Sequence, residues 1–175
     1  MGRLDDLAYM VLNYNMESAF SSMPVNSKGK PSTKEIYRAI TGKPSLGVMD
    51  NLYCTLTEAF SLQDFLAWKR DPNSPDIYIG TVKYRTGQLH KTSLRKCTYK
   101  EAIKYIIASA SIPIMAEPVE INGGLHYDGG ARAHTLAPYI QRIYSGLIER
   151  HISIYSRPQN FKIPRPDFTP LILSF

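Results

Sequence analysis

The sequence predicts an α/β fold, with helices layered on a mostly parallel sheet that includes at least one hairpin. Three observations lead there. Helix-period and strand-type apolar patterns alternate along the chain. The segment DIYIGTVKY, residues 76–84, is apolar on both faces for most of its length, as in a strand buried on two sides of a sheet. Residues 108–130, ASASIPIMAEPVEINGGLHYDGG, run from a helix end through a proline stop, a short apolar strand, a glycine-rich turn and a second strand. That last strand delivers Asp128 onto two glycines.

Taken in order, Leu4, Leu7, Ala8, Val11 and Tyr14 fall at helical spacing and predict an amphipathic helix over residues 3–14. Residues 22–33, polar with two prolines and a glycine, read as a loop. A short helix over Lys34–Thr41 ends at Gly42, and GKPSLG reads as a further turn. Leu52, Leu56, Ala59, Phe60, Leu66 and Ala67 make residues 50–70 helical, with a break near Ser61. Phe65 and Trp68 read as core residues, with a lipid-facing groove as the alternative.

After the strand at 76–84, Arg85-Thr86-Gly87 turns the chain into a more polar strand, Gln88–Leu94. Thr98 and Glu101 form a T-x-x-E capping box at the start of a helix over Thr98–Ala110. Ala102, Ile103, Ile106, Ile107 and Ala110 give that helix a wide apolar face, and Pro113 cannot continue it. The small residues from Ala108 to Ser111 let its end approach another backbone closely. Pro118–Ile121, Asn122-Gly123-Gly124 and Leu125–Tyr127 read as strand, turn, strand. A long helix over His134–Glu149, a strand over His151–Ser156 and a proline-rich tail from Arg157 complete the chain. Three or four strands are thin for a complete open sheet, and the expected first strand–loop–helix unit is missing from the start.

The 175 residues fit one domain, and 43% hydrophobic with 21% charged residues is an ordinary globular composition. No apolar run approaches the roughly 18–20 residues of a membrane helix. The opening MGRLDDLAYMVL carries Asp5 and Asp6 and does not read as a signal peptide, so a cytoplasmic protein is expected. The net charge of +6 comes from scattered basic residues without interleaved aromatics. A solvated basic surface is the plain reading. Transient contact with an anionic membrane surface is compatible with it, and no nucleic-acid partner is expected. Cys54 and Cys97 lie far apart, without metal-site spacing, and imply neither a disulfide framework nor zinc.

Asp128 has a physical case as a functional residue. A carboxylate followed by glycines is reachable by a substrate, and glycine permits the positive φ of a sharp strand-to-helix exit. Packed beside apolar strands, such an acid is a usable general base. The competing reading is a plain turn in which Asp128 caps the next helix.

The ordered set ASASIP, PVEI-NGGLHY and DGG resembles the C-terminal half of the patatin-like phospholipase family. DIYIGTVKYRTGQL and HISIYSRP are similar to the strands on either side of it. The resemblance spans about residues 45–158 well and residues 1–44 weakly. It implies a layered α/β/α fold and a serine acyl hydrolase that acts on lipid or phospholipid esters through a Ser–Asp dyad, with no cofactor or metal. In that scheme Asp128 is the general base, Gly129 and Gly130 complete its motif, and Tyr127 is the aromatic before it.

The nucleophile elbow G-x-S-x-G, a strained turn that exposes a serine, occurs nowhere in the sequence. Gly42-Lys43-Pro44-Ser45-Leu46-Gly47 comes nearest, but its first glycine is one position too far from Ser45. Residues 1–157 are therefore expected to be a partial domain lacking the elbow, followed by a tail over 158–175. Loss of a serine nucleophile costs on the order of 10⁶ in turnover, so the chain alone is expected to be nearly inert. A non-catalytic lipid-binding or scaffold domain of the same fold is the alternative. His126, on the same strand face as Asp128, and His134 have no serine partner in the sequence and read as surface or capping residues.

Overall fold

The computed structural model describes residues 16–23, 45–133 and 135–147. The helices expected over 3–14 and 34–41, the strand over 151–156, the tail and the boundary at residue 157 lie outside them. The chain divides into two units, 1–138 and 139–175.

In the first unit, α1 (Met16–Ala19) is followed by β1 (Ser45–Gly47), α2 (Asp50–Ala59) and α3 (Leu62–Arg70). Strands β2 (Tyr78–Lys83) and β3 (Leu89–Ser93) lead through a 3₁₀ turn, Leu94–Lys96, into α4 (Tyr99–Ala110). Then come β4 (Ile114–Ala116), β5 (Val119–Ile121), β6 (Gly124–Asp128) and a second 3₁₀ turn, Gly129–Ala131. The last helix, α5 (Ala137–Ile143), crosses into the second unit.

The fold is mixed α/β, but its main sheet is not mostly parallel. β3-β2-β6-β5 form a four-stranded sheet in which every neighbouring pair is antiparallel. Two short links dictate the β2–β3 and β5–β6 pairings. A parallel crossover needs about a dozen residues or more, and neither the 84–88 link nor the 122–123 link has them. Asn122 (φ 51°) and Gly123 (φ 76°) are both left-handed, which is the type I′ geometry matched to strand twist. Among the described residues the parallel pairing is β1 with β4, outside this sheet.

β1 corrects the turn expected at GKPSLG. Three residues show no periodicity of their own, and the strand exists because β4 pairs with it, Ser45 opposite Ile114 and Gly47 opposite Ala116. Gly47 is needed there, since a Cβ would lie 2.7 Å from the Phe20 ring and 2.9 Å from the Met115 carbonyl.

Ser61 divides the helical stretch as expected. Its hydroxyl accepts the Asp64 N–H while the Asp64 carboxylate accepts the Ser61 N–H, so α3 restarts on a capping box. α4 begins on the corresponding Thr98–Glu101 box. α4 packs on β2, β5 and β6. Phe65, Leu94, Ala102, Tyr105, Ala108 and Ile121 form the core between α3, α4 and the sheet. Phe65, 1% exposed, is therefore core and not groove, and Trp68 packs against the same cluster. β2 is central in the sheet but only Thr81 on it is fully buried, so burial on both faces is not realised.

The helix expected over 134–149 is shorter. α5 starts after Thr135, whose hydroxyl accepts the Ala137 N–H, and gives way to a turn over residues 144–147 with Gly146 left-handed at φ 81°. None of the helices in the described residues is long and apolar enough to cross a membrane.

Candidate functional site

β6 ends at Asp128, and the packing of the turn beyond it accounts for Gly129. The Asp128 Oδ1 accepts the Gly130 N–H at 2.8 Å, so the carboxylate caps the 3₁₀ turn Gly129–Ala131. A Cβ on Gly130 would sit 3.3 Å from that carboxylate. A Cβ on Gly129 would sit 2.5 Å from the Gly80 carbonyl carbon and oxygen, because the two backbones touch. Neither glycine has positive φ. Close approach of two backbones, not a left-handed exit, is what requires Gly129, while a side chain at Gly130 would press on the Asp128 carboxylate.

Asp128 is half-buried, and its backbone N–H donates to the Ser111 carbonyl at 2.9 Å. This joins the end of ASAS to the start of DGG. One and three residues beyond Ser111, Ile112 and Ile114 are 56% and 70% exposed, either side of Pro113. Ile114 also has φ 75°, a strained conformation for a β-branched residue.

Neither Ser111 nor Ser45 is presented as a nucleophile. Ser111 is buried and donates to the Ile107 carbonyl at 2.9 Å. Ser45 is buried and donates to the Gly47 carbonyl at 3.0 Å. An elbow serine is exposed at a strained turn; these two hydroxyls are satisfied within the fold.

Compared with protein-family models, curated proteins and solved structures, the chain matches none.

His126 is not the surface or capping residue expected. It is 3% exposed, and its Nδ1 lies 2.9 Å from the hydroxyl of Thr81, itself fully buried. Its ring meets His90 and Tyr105 edge-on at 5.5 and 5.9 Å between centroids. His90 stacks on Tyr105, with Nε2 3.1 Å from the phenol oxygen. Burial holds both imidazoles below the ordinary histidine range; His90 and Lys83 add to this at His126, and Lys83 adds at His90. Burial likewise pushes the Tyr105 phenol up. The group is neutral near pH 7. His134 lies outside the described residues.

Sequence reasoning missed this cluster because its members come from β2, β3, α4 and β6. The available signal was alternation. Thr81 lies opposite both His90 and Asp128, and Lys83 opposite His126, so all five share one sheet face once the register is known. Among the described residues no group of three or more His, Cys, Asp or Glu could hold a metal ion. Cys54 is exposed and Cys97 buried, both as free thiols.

Proposed function

We propose that this chain is the general-base-bearing part of a patatin-like serine acyl hydrolase acting on lipid or phospholipid esters. The observation that carries the reading is the 2.9 Å hydrogen bond from Asp128 N–H to the Ser111 carbonyl, which brings the two halves of the ordered motif set together. Asp128 takes the proton of a serine hydroxyl as that oxygen attacks the ester carbonyl, and returns it to the leaving alcohol. The exposed Ile112 and Ile114, beside the segment that Asp128 contacts, suit an acyl chain or the edge of a lipid layer. The sequence holds no G-x-S-x-G, and the Ser45 and Ser111 hydroxyls are spent internally, so on this reading the nucleophile is supplied by another segment.

The bond from Gly130 N–H to the Asp128 carboxylate favours a second reading, a non-catalytic lipid-binding or scaffold domain in which Asp128 is only a cap. Labelling with a fluorophosphonate serine probe tests the first reading's placement of the nucleophile. The 175-residue chain is expected to remain unlabelled. Stoichiometric labelling that disappears in Asp128→Asn would instead put a nucleophile within the chain.

A further inference from the structure

The sheet face beneath α4 opens at one end into a cleft of about 560 Å³, bounded by the β2–β3 hairpin and the β5–β6 turn. His126 reaches it from below. One ring nitrogen, Nδ1, is held by Thr81, while Nε2 has no hydrogen-bond partner among the described residues. Nε2 lies against Gly124, where a Cβ would stand 3.4 Å away. The missing side chain leaves space over that nitrogen, and His126, though 3% exposed, is among the residues lining the cleft. When the Thr81 hydroxyl donates to Nδ1, Nε2 carries the proton and is a donor.

The rim above it is cationic. Lys83 lies directly opposite His126 in the β2–β6 register, and Arg85 follows two residues later in the hairpin turn. Neither side chain makes an ion pair or hydrogen bond among the described residues. Among the described residues no carboxylate lines the cleft; Glu101 stands behind Asn122, whose amide donates to it at 3.0 Å. Ile121, Leu125 and the Tyr105 ring supply apolar wall.

We infer that this cleft binds a phosphate group carried on an organic molecule, with Lys83 and Arg85 neutralising its charge and His126 Nε2–H donating to one oxygen. Two cations without a partner among the described residues match a dianion. Donors arriving from β2, the hairpin turn and β6 suit a tetrahedral oxyanion better than a planar carboxylate. The volume exceeds what phosphate alone fills, and the apolar wall takes the group esterified to it. The inference does not rest on the acyl-hydrolase reading, because it uses neither Asp128 nor a serine.

The test is a titration of the full 175-residue chain with inorganic phosphate and with phenyl phosphate at constant ionic strength, following the imidazole NMR signals of His90 and His126. In parallel, binding to phosphatidylcholine vesicles with and without phosphatidic acid is measured. Saturable shifts are expected, with phenyl phosphate the tighter ligand. The double variant Lys83→Gln/Arg85→Gln should weaken binding about tenfold or more. Gly124→Val, which crowds Nε2 and leaves both charges in place, should weaken it too. Thermal melts confirm that each variant is folded. A response confined to phosphatidic acid vesicles, and lost in both variants, would assign the same site to a lipid phosphate. Shifts that do not saturate, that chloride reproduces, or that survive both variants would overturn the site. Vesicle binding unaffected by the variants would do the same.

Discussion

Asp128 and its neighbours can be tested one atom at a time. Asp128→Asn keeps the oxygen that accepts the Gly130 N–H and removes only the proton-accepting charge. Its stability should stay within about 0.5 kcal/mol of wild type in a urea melt, the range of a substitution that breaks no contact. Gly129→Ala is a different case. Its methyl would overlap the Gly80 backbone, which cannot move away as a side chain could, so a loss of about 3 kcal/mol is expected in the same melt. The buried histidines make stability fall with acid. With folded pKa values held below the unfolded value of 6.5, the unfolded chain binds more protons in that window. The contribution is full above pH 6.5 and is lost as pH falls through the lowered folded values. His126→Gln should flatten that part of a stability-versus-pH curve. From the sequence, DGG could be recognised as a special place, but the reason for its glycines could not. Gly80, the residue Gly129 touches, lies 49 positions earlier, and only the packed sheet joins them.

The elements that carry their own local signals were legible. The Thr98–Glu101 box starts α4 where the sequence puts it, and Thr98→Ala should cost about 1 kcal/mol by urea denaturation. The Asn122-Gly123 turn closes β5 on β6 as expected. At Gly123, φ 76° with open space around the Cα, alanine should cost about 1 kcal/mol through backbone strain alone, again read from urea denaturation. Ser61 breaks the long helical stretch for the same reason that Thr98 starts α4. β1 and the extent of α5 were not legible. Ser45–Gly47 becomes a strand only through pairing with β4, and the helix expected over 134–149 runs past the left-handed Gly146. Periodicity records a continuous stripe, whereas a single backbone conformation ends the helix.

At the scale of the molecule, alternation of helix and strand established the mixed α/β class but misjudged strand direction. Direction is settled by connection length, and both hairpins were already visible in RTG and NGG. The polar group of Thr81, His90, Tyr105 and His126 belongs to this scale as well, since four elements must assemble before it exists. The sequence offered an acid and no G-x-S-x-G elbow. The folded chain adds a cap for that acid, an exposed apolar loop next to its contact, and a cationic cleft at the other end of the same strand. The most direct measurement is ester hydrolysis by a polypeptide in which a G-x-S-x-G strand–turn–helix segment is joined to this chain. A phospholipid ester should be turned over, and Asp128→Asn should slow that turnover about 10²- to 10⁴-fold without changing the melt. Hydrolysis unchanged by Asp128→Asn would contradict a general-base role and leave Asp128 as a structural cap.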